Sequence, residues 1–194
     1  PMAPAPEGIS SSTKHLKKET GQIQVCLGTR GVALEDERNY PLQLLNNVLG
    51  GGLSSRLVQS IREERGLAYT TYSFNSAFNG TGIFAFYAGT SPRACDTVIQ
   101  LFHQEMEKLQ KEGITEKEFN RAKEQVRGGL YMGLENVNNR MNRLGRNLLL
   151  LDRVIMPEET MTKVNAVKIQ DIPELAAWLF DGPQVLTTIG MKEE

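Results

Sequence analysis

Two side chains in the window Leu49 to Tyr72, LGGGLSSRLVQSIREERGLAYTTY, have types and spacing suited to chemistry. Arg62 lies four residues before Gly66, and Tyr69 three residues after it. If the chain reverses at Gly66, Arg62 is set back by about 6 Å of helical rise and Tyr69 by about 10 Å of extended chain. Their polar tips can then meet. A guanidinium and a phenol aimed together offer hydrogen-bond donors, one of them permanently charged, which suits a carbonyl oxygen or a developing oxyanion. The same spacing also describes a solvated helix end, with Arg62, Glu63, Glu64 and Arg65 as a surface charge run and Tyr69 as an ordinary strand aromatic. Gly50, Gly51 and Gly52 match neither GxxxxGK[ST] nor a GxGxxG loop between strand and helix. They follow a helix, where a glycine run reads as a tight connection to the next one.

Other chemistries find little support. Cys26 and Cys95 are the only cysteines, too few for a multi-cysteine zinc pattern. They read as two reduced, half-buried thiols, with a single bridge as the alternative. His15 and His103 are the only histidines; Lys18 and Met106 stand three residues after them, so neither HExxH nor HxxEH occurs. Lys and Arg number 22 against 23 Asp and Glu, a net charge of −1 that argues against a nucleic-acid partner. The longest aliphatic run, Leu148 to Leu151, is far below a membrane span, and a soluble chain is expected.

These residues need elements to position them. QIQVCLGTRGVAL, Gln22 to Leu34, alternates as a strand through Ile23, Val25 and Leu27. A helix from Arg38 carries Leu44, Leu45, Val48 and Leu49 on one stripe and stops at Gly50 to Gly52; a short helix from about Ser55 to Arg65 ends at Gly66 as a left-handed cap. Tyr69 to Phe78 and Gly82 to Thr90 form a hairpin about Asn79-Gly80. Ser91-Pro92 caps a helix with Val98, Leu101, Phe102, Met106 and Leu109 on one face. Thr115 and Glu118 make a capping box for another along Phe119, Ala122, Val126 and Leu130, with Gly128-Gly129 as a weak point and more helix to about Val154. Pro157 and the Asp171 to Pro173 turn separate two further helical segments, and Gln184 to Gly190 closes as a last strand. This order predicts an α+β fold, a two-layer sandwich of a mainly antiparallel sheet of about four or more strands covered by helices. Residues 1–20 read as a linker or junction and residues 21–194 as a single domain.

LGGGLSSRLVQSIREERGLAY closely resembles the second-domain signature of the pitrilysin/insulinase group of zinc peptidases, the inverzincins, and within them the mitochondrial-processing-peptidase-like branch. The likeness takes in the glycine turn, the Ser55-Arg56-Leu57 helix start and the Arg-Glu-Glu-Arg-Gly-Leu-Ala-Tyr passage. It extends more loosely to ITEKEFNRAK from Ile114 and RMNRLGRN from Arg140, and by element order from about Gln22 to Gly190. In that group two similar domains face each other as a clamshell, the first carrying HxxEH, the second an Arg and a Tyr seven residues apart that reach the substrate carbonyl. Arg62 and Tyr69 match those positions. HxxEH is absent from this sequence.

The resemblance implies a zinc-dependent metalloendopeptidase that takes extended or unfolded peptides into a closed chamber. Zinc would belong to the full-length enzyme, on an N-terminal domain carrying HxxEH, with none bound by this chain, and the chain alone would be inactive. Arg62 and Tyr69 would be catalytic and would bind substrate, and Gly50, Gly51 and Gly52 would line the substrate cavity. A non-catalytic subunit or scaffold of the same fold, acting as a protein-binding partner, is the alternative, and a homodimer is a third arrangement. Two cysteines and no targeting segment fit a bacterial cytoplasm.

Overall fold

The computed structural model describes residues 8 and 10–191. Its centre is a five-stranded sheet in the order β1-β5-β2-β4-β3. The strands are β1 (Ser12–Leu16), β2 (Ile23–Arg30), β3 (Ala68–Phe78), β4 (Thr81–Thr90) and β5 (Val185–Ile189). Only the β1–β5 pair is parallel. The helices are α1 (Asn39–Gly50), α2 (Cys95–Glu112), α3 (Glu116–Glu135), α4 (Val137–Leu151), α5 (Pro157–Ala166) and α6 (Asp171–Phe180). The α+β sandwich read from the sequence is the observed fold.

Strand β2 alternates buried and half-buried residues along its whole length, so Ile23, Val25 and Leu27 face the helices. Phe84 and Phe86 of β4 share that face, and Phe86 packs on Phe102 of α2 and Phe180 of α6 with ring centroids 5.4 and 5.8 Å apart. Leu44, Leu45, Val48 and Leu49 of α1 and Val98, Leu101, Phe102, Met106 and Leu109 of α2 complete this core. All of these positions follow from helical or strand periodicity. The other sheet face is partly open, with Tyr72 stacked 4.8 Å from Tyr87.

Several local expectations change. The sequence reading has no element before Gln22, yet Ser12–Leu16 pairs with β5 as an edge strand. Every residue of it is exposed, so no hydrophobic alternation marks it. Residues 1–7 and 9 of the linker reading lie outside the described residues. Ser91 makes no side-chain cap bond; a 3-10 turn, Pro92–Ala94, leads into α2 instead. Gly128 and Gly129 do not interrupt α3, and the chain breaks at Asn136, whose side chain accepts from the Asn138 and Asn139 backbone N–H groups to start α4. Pro173 lies in the first turn of α6, not in a turn before it. No disulfide joins Cys26 and Cys95; Cys26 is half-buried as read, and Cys95 is buried. Among the described residues no helix is long and apolar enough to cross a membrane.

The end of α1 meets the edge strand β3 at closest range. A Cβ built on Gly50 would lie 2.0 Å from the Ser73 backbone nitrogen, so only glycine lets the two backbones approach this far. Ser73 Oγ then donates to Asn46 Oδ1 at 2.7 Å, locking the crossing. Gly50→Ala is expected to destabilise the chain by about 2 kcal/mol or more through overpacking, whereas a Cβ on Gly52 would meet only the Gln125 side chain at 3.6 Å. Urea midpoints of the two variants check this: a large drop for Gly50→Ala and a small change for Gly52→Ala.

Candidate functional site

The segment after α1 is not the α-helix expected over Ser55 to Arg65. Val58–Glu63 is a π-helical turn, closed by Glu64 N–H to Gln59 O at 2.9 Å. Leu57 and Ile61 are fully buried and anchor it to the core, and Arg62 is its basic residue in the last turn. Gly66 adopts the expected left-handed conformation, with φ +61°. Its N–H bonds Arg62 O at 3.0 Å and that of Leu67 bonds Ile61 O at 2.9 Å, so the chain doubles back into β3. A widened turn re-aims the side chains that follow it, and such turns recur at functional sites.

That reversal brings Arg62 and Tyr69 together. The guanidinium carbon lies 5.1 Å from the Tyr69 ring centroid, a cation–π contact in which the ring carries the guanidinium on its face. The tips do not meet end to end as the spacing suggested. Tyr69 is 76% exposed and the Arg62 side chain 38%, and Arg62 has one ion pair, to Glu63 at 3.4 Å. The two residues line a cleft of about 370 Å³ with Gly50, Gly51, Gly52 and Thr71. All five site residues read from the sequence therefore border one hollow. Its floor is the helix–strand crossing made possible by Gly50, and its open side faces solvent.

The sequence reading missed what holds this cleft's outer wall. Arg56 Nε and Nη2 donate to Glu118 Oε1 and Oε2 at 2.7 and 2.9 Å, and Nη2 also donates to Gly113 O at 3.0 Å. Arg121 Nη2 donates to Ser54 O at 2.7 Å. The capping box made Glu118 visible as a helix-start residue, and the structure contains it: Thr115 N–H donates to Glu118 Oε2 at 2.8 Å, and Glu118 N–H to Thr115 Oγ1 at 3.2 Å. No sequence signal links Arg56 to a carboxylate 62 residues away. Burial would raise the Glu118 pKa, but the Arg56 hydrogen bonds and the Thr115 backbone bond outweigh it and hold the carboxyl at about 2, below its ordinary 4.5.

Among the described residues no group of three or more His, Cys, Asp or Glu side chains is placed to hold a metal ion. His15 lies on β1, where its Nδ1 is 2.8 Å from Thr188 Oγ1, and His103 on α2. What the cleft offers is hydrogen-bond donors: a guanidinium, a phenol and the exposed Thr70 hydroxyl, while the Thr71 hydroxyl is committed to Tyr87 O.

Solved structures share this architecture. A conserved protein from Enterococcus faecalis matches with a TM-score of 0.80 at 24% identity, over 99% of this chain and 44% of its own. A peptidase M16 inactive domain from Pseudomonas fluorescens matches with a TM-score of 0.83 at 22% identity, over 95% of this chain and 45% of its own. The fold is thus that of one part of larger chains. In sequence, the "Uncharacterized zinc protease YmxG" of Bacillus subtilis is 40% identical over 89% of this chain and 42% of its own length. A counterpart from Streptomyces coelicolor is 35% identical over 89% of this chain and 38% of its own. The family described as "Peptidase M16 inactive domain" matches residues 1–126, and the chain belongs to that family. It spans less than half the length of these curated relatives.

The low Glu118 pKa has a consequence for stability. A depressed carboxylate stabilises the fold fully above its unfolded value and loses that contribution as pH falls from about 4.5 toward 2. With both side chains only 19% exposed, the linked contribution is on the order of 3 kcal/mol. Unfolding free energy measured from pH 7 to pH 2.5 should fall steeply below pH 4.5 in the parent chain, and Glu118→Gln should flatten that part of the curve.

Proposed function

We propose that this chain is the non-metal half of a two-domain zinc metalloendopeptidase, in which Arg62 and Tyr69 face a metal site carried on an N-terminal domain with HxxEH. The observation that carries the reading is the meeting of Arg62, Tyr69 and the three glycines on one solvent-open cleft. Further support is that relatives 40% and 35% identical are named zinc proteases and are more than twice as long as the matched segment. The described residues do not fit zinc, so the metal is assigned to the other domain and this chain's part is polar recognition.

That part follows from the geometry. A peptide entering the cleft has its backbone close to Gly51 and Gly52, where no side chain intervenes. The Arg62 guanidinium, held on the Tyr69 ring, donates to the scissile carbonyl oxygen. The Tyr69 hydroxyl donates to the same oxygen as negative charge grows on it, which lowers the barrier more than it strengthens ground-state binding. Water is displaced as the second domain closes over the cleft, and both hydrogen bonds then strengthen.

Tyr69→Phe separates these roles, because phenylalanine keeps the aromatic platform under Arg62 and removes only the hydroxyl. In the two-domain protein, kcat on an unfolded peptide should drop by about 10²- to 10³-fold with KM little changed, the worth of one oxyanion donor. Tyr69→Leu should lower kcat further, since it also releases Arg62. An unchanged kcat in Tyr69→Phe would refute the assignment, and a two-domain protein that cleaves nothing would favour the scaffold reading.

A further inference from the structure

A cavity of about 660 Å³ opens between α1, the far end of β3, α4 and α5. Arg143, Arg146, Asn142, Asn147, Asn75 and Tyr40 are on its wall, and none of its described lining residues is a carboxylate. Arg143 Nη2 donates to Thr160 Oγ1 at 2.8 Å and to Ile155 O at 3.3 Å. Arg146 Nη2 donates to Ala77 O at 3.1 Å. These acceptors are all neutral, and each guanidinium has five N–H donors, so both keep charge and donors for a ligand. Asn147 Nδ2 is buried on the same wall without a protein partner. The acids around the rim are neutralised elsewhere: Asp36 by Arg38 at 2.6 Å, Glu37 by Lys163 and Glu159 by Arg153, both at 3.0 Å. Glu35, beside them, is exposed.

The cavity shares its wall with a second hollow that lies on the side of the Arg62–Tyr69 cleft. Asn75, Arg143 and Thr160 also line a middle hollow of about 350 Å³, whose other walls include Asn46, Asn47 and Gln125. Asn47 and Gln125 are the residues that a Cβ on Gly51 and on Gly52 would meet. The three hollows thus follow β3 from Tyr69 to Ala77, about 26 Å at 3.3 Å per residue. Amide side chains along this path suit the alternating donors and acceptors of an extended backbone without selecting its side chains. The two arginines at its end suit a carboxylate, which a guanidinium can bind with two parallel hydrogen bonds.

We propose that Arg143 and Arg146 form a carboxylate-binding subsite for an extended peptide, about eight residues along from the bond presented to Arg62 and Tyr69. The placement relative to the bond rests on the proposed function; the binding itself does not. The carboxylate is a peptide's own C-terminus or an acidic side chain.

The test measures binding to this chain by fluorescence anisotropy at low ionic strength, with Gly-Ser peptides of about ten residues carrying an uncharged BODIPY label at the N-terminus. One peptide ends in paired glutamates with an amidated terminus, one has a free C-terminal carboxylate and no glutamate, and one has neither. Either carboxylate peptide is expected to bind roughly tenfold or more tightly than the neutral one, and the preferred one identifies the source. Arg143→Gln with Arg146→Gln should abolish the difference. Arg140→Gln, which removes one positive charge on α4 outside the cavity lining, should retain it, whereas Arg143→Gln alone should reduce it. Because Arg146 also ties α4 to β3, the unaltered chain gives a second readout: the carboxylate peptide should shift the Asn75, Asn142 and Asn147 side-chain amide resonances and leave Gln24, on the opposite sheet face, in place. Equal binding of all three peptides, no binding, or an equal loss in Arg140→Gln would overturn the subsite. None of these results bears on kcat in Tyr69→Phe, so the two readings fail separately.

Discussion

The two-pronged ion pair between Arg56 and Glu118 is the interaction on which the candidate site depends. The segment from Gly51 to Arg65 has a single π-helical turn of its own, too little internal hydrogen bonding to hold its shape by itself. It is fixed by what it touches at either end. Leu57 and Ile61 are buried beneath it, and Arg56 and Ser54 are pinned to the first turns of α3. Glu118 does two jobs at once, closing the capping box of α3 and receiving Arg56. Helix start and site wall are therefore one charged network. Its partial burial makes the loss of either partner more serious than the loss of an exposed pair.

From that anchor the geometry of the cleft follows in steps. The close approach at Gly50 lets α1 end directly on β3, so the turn that follows must rise over the sheet edge. The extra residue per turn in Val58–Glu63 and the left-handed Gly66 return the chain to β3 with Tyr69 opposite Arg62. Stacking on an aromatic face removes much of the rotamer freedom of a long arginine side chain, which is the entropic part of holding a donor ready. The edge position of β3 leaves this pair open to solvent.

How much of this was legible in the sequence depends on how local its causes are. The strand alternation at Ile23, Val25 and Leu27, the helical stripes of α1 and α2, the Asn79-Gly80 hairpin, the Gly66 reversal and the Thr115–Glu118 box are short-range patterns, and all appear as read. Residues Arg62 and Tyr69 were legible as neighbours because one glycine sets their separation. Their stacked arrangement was not, since it depends on π-helical geometry that no residue type announces. Strand β1 was invisible because STKHL buries nothing and is defined only by β5, far along the chain. The Arg56–Glu118 pair and the arginines of α4 were missed for the same reason: their roles exist only once distant segments are packed together.

The central claim is that Arg62 and Tyr69 complete a peptidase site from the side that holds no metal. It is tested most directly by the crystal structure of the two-domain protein with a phosphonate peptide bound, whose tetrahedral oxygen stands for the oxyanion. The account predicts the Arg62 guanidinium and the Tyr69 hydroxyl both at about 2.7–3.1 Å from that oxygen. A bound phosphonate whose oxygens lie beyond hydrogen-bonding reach of both groups would contradict it.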